Sequence, residues 1–221
     1  MSADKKAKLA KLRAVRGAIK NLEKTTKKEG IAYILGEREE LKIESYPTGS
    51  LMLDIALGVE GLPKGRLIEF FGAESSGKTL TATKAMAECQ KNGGIVAIVD
   101  MEHAFDPSFA RKLGLNTDEL IISQPDSLQD AFSVIDALID VGIDIITLDS
   151  VAALVPQEEL DGEVGKQTIG LVARYMSQFL RRITPKAAKQ GTTVIFINQV
   201  RDQIGVMYGD PTTTPGGKLI A

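Results

Sequence analysis

The sequence predicts an α/β fold: a mainly parallel sheet with helices on both faces, preceded by an N-terminal arm of one helix and one short strand. Three observations predict it. Short apolar runs alternate with helical patterns from residue 66 to residue 198. The runs are apolar almost throughout rather than at every second position, as in strands covered on both faces. A glycine-rich turn joins the first run to a helix, and acids end two of the later runs.

The elements follow in order. Leu9, Leu12, Val15, Ile19 and Leu22 recur at three- and four-residue steps, the stripe of an amphipathic helix. Ten Lys and Arg residues crowd the first 28 positions against only Asp4 and Glu23, so the rest of that helix is basic. Such a face is either simply solvated or meets an acidic partner. Polar residues 25–30 end the helix, residues 33–35 suit one short strand, and residues 37–46 lead into the body. Strands are then expected at 66–71, 95–100, 120–123, 144–149 and 193–198. Helices are expected at 78–91, 107–113, 128–141 and 170–189.

Composition narrows the class. The 221 residues are 43% hydrophobic with a formal charge of −2, enough for one sizeable core. No run approaches the length of a membrane span, and the N-terminus lacks the apolar core of a signal peptide. The single cysteine, Cys89, reads as a small buried hydrophobe in a reducing compartment.

"GAESSGKT" matches G-x-x-x-x-G-K-[ST], with a strand before it and a helix after it. Gly72, Ala73, Glu74, Ser75, Ser76, Gly77, Lys78 and Thr79 therefore form a candidate phosphate cradle. Its glycines let successive N–H groups face phosphate oxygens, and the helix N-terminus adds partial positive charge. Lys78 is suited to the β- and γ-phosphates and the Thr79 hydroxyl to Mg²⁺.

Acids end two strands. "DIITLDS" closes on Asp149, placed to act with Thr79 at a metal. "IVAIVDMEH" offers Asp100 and Glu102, which fall on the nucleotide side because ligands gather at the carboxyl ends of parallel strands. Glu102 is the better candidate to activate water, with Asp100 capping the turn as the alternative. His103, the only histidine, lacks His or Cys companions and reads as a loop residue. Asn198 and Gln199 end the 193–198 strand, and their amides either sense the γ-phosphate or satisfy ordinary strand-end hydrogen bonds. Two long loops follow helices or strands: an acidic one, "PQEELDGEVGKQTIG", and a Gly-, Pro- and Thr-rich one, "VRDQIGVMYGDPTTTPGGK". The second carries Arg201 and Lys218 beside hydroxyls and amides able to contact a nucleic-acid backbone.

With these residues in view, a resemblance is plain. "PTGSLMLDIALGVEGLPKGRLIEFFGAESSGKT", "DMEHAFDPSFARKLG", "LDSVAALVPQEELDGEVG", "ARYMSQFLRRI" and "VIFINQVRDQIGVMYGDPTTTPGG" resemble the bacterial RecA family of ATP-dependent homologous recombinases. The likeness runs from about residue 2 to residue 217, and generic phosphate-loop ATPases lack the last three stretches. It implies a RecA-type core with ATP and Mg²⁺ as cofactors, residues 72–79 on the triphosphate, and Lys78 among the catalytic groups. It implies Glu102 as the catalytic glutamate, Asp149 as the Mg²⁺-associated acid, and Gln199 as the γ-phosphate sensor. Asp106 and Phe109 match positions beside the adenine, with Phe109 where the family usually has tyrosine. Residues 157–166 and 200–217 match loops that bind single- and double-stranded DNA. The basic arm matches the segment that packs on the next subunit of a homo-oligomeric helical filament, and the setting is cytoplasmic with no membrane.

The family continues past the Gly216-Gly217 pair into further strands and a C-terminal domain, including lysines that reach a neighbour's ATP site. The resemblance therefore divides the chain into an oligomerisation arm, 1–36, and an ATPase core, 37–221, cut short at its C-terminal end. It leaves an uncovered sheet edge beside 193–198. The expected function is a DNA-dependent ATPase that polymerises on single-stranded DNA and promotes pairing and strand exchange. Two alternatives stand beside it: a RecA-core motor such as a hexameric helicase, and a non-hydrolysing form that binds filaments or DNA.

Overall fold

In the computed structural model, residues 3–37, 43–162, 170–202 and 212–214 are described. The chain divides into two compact units, residues 1–42 and 43–221.

The first unit is one long helix, α1 (Ala3–Thr26), and a short return segment. The Glu23 carboxylate accepts the Gly30 N–H at 2.7 Å, and the Arg16 guanidinium donates to Glu37. Leu9, Val15 and Leu22 stay 40–45% exposed. The strand expected at 33–35 does not form. A strand pairs its N–H and C=O groups with a second strand, and the described residues of this unit include no second strand. The Glu37 N–H instead bonds Ile34 O at 2.9 Å, closing a single 3₁₀ turn over Leu35–Glu37.

The second unit begins with three elements that no sequence pattern announced: β1 (Ser45–Tyr46), α2 (Leu51–Leu57) and β2 (Leu62–Pro63). β1 and β2 pair antiparallel over two residues each, too short for any period to show. Leu51, Met52 and Ile55 of α2 are exposed, so its apolar residues mark no buried face.

The main sheet contains β3 (Leu67–Gly72), β4 (Val96–Asp100), β5 (Ile121–Ser123), β6 (Ile145–Asp149) and β7 (Thr193–Gln199). Its order is β3-β7-β6-β4-β5, and every pairing is parallel. Between the strands run α3 (Lys78–Lys91), α4 (Pro107–Lys112), α5 (Leu128–Val141), α6 (Gln157–Leu160) and α7 (Leu171–Gln190). β7 lies inside the sheet, between β3 and β6, so the expected open edge beside 193–198 is overturned. Among the described residues the edges are β3 and β5. The reason is strand order: after β6 the chain returns to pair beside the first strand of the sheet, which local pattern does not encode. A further antiparallel pair joins β8 (Arg201–Asp202) to β9 (Thr212–Thr213).

Side chains leave the strands alternately toward two cores, as the two-residue period of a strand requires. Ala97, Val99, Ile146, Leu148, Val194 and Phe196 pack toward α5 and α7, where the Phe132 and Phe179 rings stack with centroids 3.9 Å apart. Val96, Ile98, Ile145, Ile195 and Ile197 pack toward α3, against Ala85, Met86 and Cys89. Full burial of each large apolar side chain contributes roughly 1.5–3 kcal/mol, which explains strands that are apolar on both faces. The Cys89 thiol is fully buried, and that burial, with the Asp144 charge second, pushes its pKa up to about 12. Helix ends follow ordinary chemistry. Ser127 caps α5 by accepting the Asp130 N–H, and Gly142 and Gly191 end α5 and α7 in the left-handed conformation. Among the described residues, no helix is long and apolar enough to cross a membrane.

Candidate nucleotide-binding site

Parallel pairing brings the carboxyl ends of β3, β7, β6 and β4 to one rim. Gly72 at the end of β3 is paired with Gln199 at the end of β7, and Asp100 with Asp149. Residues 49 and 127 positions apart in sequence thus share one ridge, where open α/β sheets take their ligands.

The loop from Gly72 to Gly77 leaves β3 and turns into α3. Ser75 (φ 57°) and Gly77 (φ 88°) adopt left-handed backbone, which curls the loop tightly. At Gly72 there is little room for more: a Cβ would lie 3.0 Å from Ser76 Oγ. Gly77 has no side chain to cap α3, so the first-turn N–H groups receive no acceptor from the capping position. An anion is a natural partner for such a helix start. Lys78 Nζ donates to Gly72 O at 3.1 Å and Ala73 O at 2.7 Å, folding back along the loop. The Val200 N–H bonds Gly72 O at 3.3 Å, tying the end of β7 to the loop.

The acids separate by what they touch. Asp100 is buried at 3% exposure, and its carboxylate accepts from Glu102 N (3.2 Å), Phe105 N (3.1 Å) and Gln124 Nε2 (3.0 Å). It holds the turn after β4 together. Glu102 on that turn is exposed, and its carboxylate accepts from Ser150 Oγ at 2.5 Å. Asp149 accepts the Thr79 hydroxyl at 2.8 Å. Those two hard oxygens, side by side, suit Mg²⁺, which binds through one or two protein oxygens and keeps several waters.

Asp149 is held above the ordinary carboxylate range. Burial is the first cause; the Glu102 and Asp100 charges add to it, while the Thr79 hydrogen bond and Lys78 act against it. A carboxyl whose folded pKa is raised stabilises the fold below its unfolded value and loses that contribution as pH rises through the folded one. Near neutral pH, without a cation, Asp149 therefore weighs against folding. Asp149→Asn should raise the melting temperature of the nucleotide-free chain at pH 7, and the gain should fade toward about pH 4. Thermal unfolding across that range checks it; a gain independent of pH would contradict the assignment.

Other expected residues are placed as follows. Asp106 caps α4, accepting Ser108 N at 2.8 Å and Phe109 N at 3.1 Å, and Phe109 is 45% exposed. Asn198 is buried and donates to Glu69 Oε1 at 2.8 Å, while its Oδ1 accepts the Gln199 N–H at 3.0 Å. Asn198 thus serves the strand end, and Gln199 is the amide beside the loop. Of the acidic segment, residues 157–162 are described; 163–169 lie outside the described residues, as do 203–211 and 215–221, including Lys218. Ser150 and Gln124 were missed. Each directly follows a strand, at Asp149 and at Ser123, and polarity at that position is the signal that points to them.

Fold and site define a class: a phosphate-loop α/β core of the RecA type, with acids at the ends of neighbouring strands. The profile of the RecA N-terminal domain matches residues 13–221. The Protein RecA of Enterococcus faecalis is 52% identical over 208 residues, 94% of this chain and 60% of the relative. That of Chlorobaculum tepidum is 52% identical over 212 residues, 96% of this chain and 61% of the relative. That of Enterococcus faecium is 50% identical over 221 residues, the whole of this chain and 61% of the relative. The chain belongs to the RecA family, and it spans about 60% of the length of these relatives.

Proposed function

We propose that this chain carries the ATP-binding half-site and N-terminal arm of a DNA-dependent ATPase that assembles on single-stranded DNA and pairs it with homologous duplex. The observation that carries this reading is the contact between Thr79 and Asp149 at the start of the phosphate-loop helix, with Glu102 on the turn after the neighbouring strand and bonded to Ser150. Residues 72–79 bind the triphosphate, and Lys78 neutralises its β- and γ-oxygens. Thr79 and Asp149 would hold Mg²⁺, which supplies positive charge against the phosphates. Glu102 orients the attacking water, with Ser150 fixing its carboxylate. Asp106 and Phe109 flank the base, Phe109 by stacking alone, since it has no hydroxyl.

Gln199 senses the γ-phosphate. Its pairing with Gly72 and the Val200 bond to the same glycine give a direct route from the loop to the segment after β7. That segment and residues 157–166 contact single- and double-stranded DNA. The basic arm, whose Leu9, Val15 and Leu22 are exposed, packs on the next copy in a helical filament. The setting is the cytoplasm.

The test is Lys78→Ala. Charge-assisted hydrogen bonds are worth about 1.5–3 kcal/mol, so ATP affinity should fall tenfold or more in a calorimetric titration. Unchanged affinity would remove the loop from nucleotide binding.

A further inference from the structure

The acidic segment begins with α6, a single turn of four residues, none of them buried; even Leu160 is 48% exposed. So short a helix does not hold in water by itself, and no buried face fastens this one. Polar bonds to two longer helices do. Gln129, in the first turn of α5, meets α6 twice. Its Oε1 accepts the Gln157 N–H at 2.9 Å, and its Nε2 donates to Glu158 Oε2 at 2.9 Å. From α7, the Tyr175 hydroxyl donates to the other oxygen of the same carboxylate, Glu158 Oε1. One residue before Gln129, the Leu128 N–H bonds Val155 O at 2.8 Å. Past the turn the chain folds back closely, since a Cβ on Gly162 would lie 2.9 Å from Glu158 O.

Glu158 is thus gripped from both sides by residues 29 and 17 positions away in sequence. Both donors are neutral, and hydrogen bonds to an ionised acceptor are stronger than bonds between neutral groups. The Tyr175 bond, ahead of the other causes, holds the Glu158 carboxyl below its ordinary range, so the acceptor stays charged near neutral pH. Neither Gln129 nor Tyr175 lines the nucleotide site.

We infer that Gln129 and Tyr175 are positioning residues for single-stranded DNA: by clamping Glu158 they fix α6, and with it the direction in which the acidic segment leaves the core. The inference rests on the reading that this segment contacts DNA. A loop whose root is already ordered loses less freedom when it meets its partner. The clamp therefore raises affinity for DNA without touching it.

The experiment compares the 221-residue chain with Tyr175→Phe, which removes one hydroxyl and keeps the ring, and with Gln129→Ala. Amide exchange is read at Glu159, Leu160 and Asp161, whose N–H groups bond back within the turn. Affinity for a labelled oligothymidylate is read by anisotropy, and affinity for ATP by calorimetry. In each variant, exchange at the three amides should quicken and oligothymidylate affinity should fall, both by roughly three- to tenfold, the range for one lost hydrogen bond. ATP affinity, the melting temperature and exchange at Ile135 and Ile139 of α5 should not move. Unchanged exchange in both variants would overturn the clamp. Faster exchange with unchanged oligothymidylate affinity would overturn the positioning role. An equal fall in ATP affinity would overturn it too, by making the effect a general loosening of the fold. Failure of the parent chain itself to bind oligothymidylate would instead overturn the DNA-contact reading on which the inference rests.

Discussion

Replacing Glu102 with Gln is expected to leave ATP binding within a few-fold of the parent while slowing hydrolysis about 100-fold, the usual loss for a removed general base. The geometry makes this a clean substitution. Glu102 is exposed on the turn after β4, so Gln adds no burial cost. An amide oxygen can still accept from Ser150 Oγ, as the carboxylate does. What disappears is basicity. Hydrolysis should be measured with the protein assembled on single-stranded DNA, and binding by titration of the same preparation. Turnover within a few-fold of the parent would take the role of base away from Glu102.

Asp100→Ala should behave in the opposite way, and the contrast separates the two acids. Asp100 is almost wholly buried and accepts from two backbone N–H groups and the Gln124 amide. Removing it deprives three donors of their acceptor. Only the Phe105 N–H belongs to a residue that is not exposed, and the Glu102 and Gln124 donors can turn to water; hydrogen bonds to a charged group contribute about 1.5–3 kcal/mol, so a loss of about 3 kcal/mol is expected. For a chain of this size that lowers the melting temperature by roughly 6–12 °C. Calorimetric unfolding of the nucleotide-free chain reads it directly. An unchanged melting temperature together with lost hydrolysis would mean that Asp100, not Glu102, does the chemistry.

Much of this was legible in the chain. The helix at 78–91 was read to the residue because a glycine-rich turn starts it and a change of period ends it. The strands at 95–100 and 144–149 were found within one residue because burial on both faces demands unbroken apolar runs. Where a signal is shorter than its period, reading failed: β1 and β2 are two residues each, and the apolar residues of α2 face outward. The segment at 33–35 has strand-like composition, but the described residues of its unit include no second strand, and a 3₁₀ turn closes at Leu35–Glu37 instead.

By itself, then, the sequence determined the phosphate loop, the class of fold and the candidate acids, because each depends on neighbours a few positions apart. The strand order β3-β7-β6-β4-β5 was decided only in three dimensions. Pairing partners are chosen by the packing of whole faces, and nothing within one strand names the strand beside it. That order sets Gln199 against Gly72 and Asp149 against Asp100, and it moved β7 from an expected edge to the interior. Tertiary structure also divided the work of Asp100 and Glu102. Both are carboxylates two residues apart, and they differ only in what surrounds them: one is enclosed among N–H donors, and the other is left facing the site.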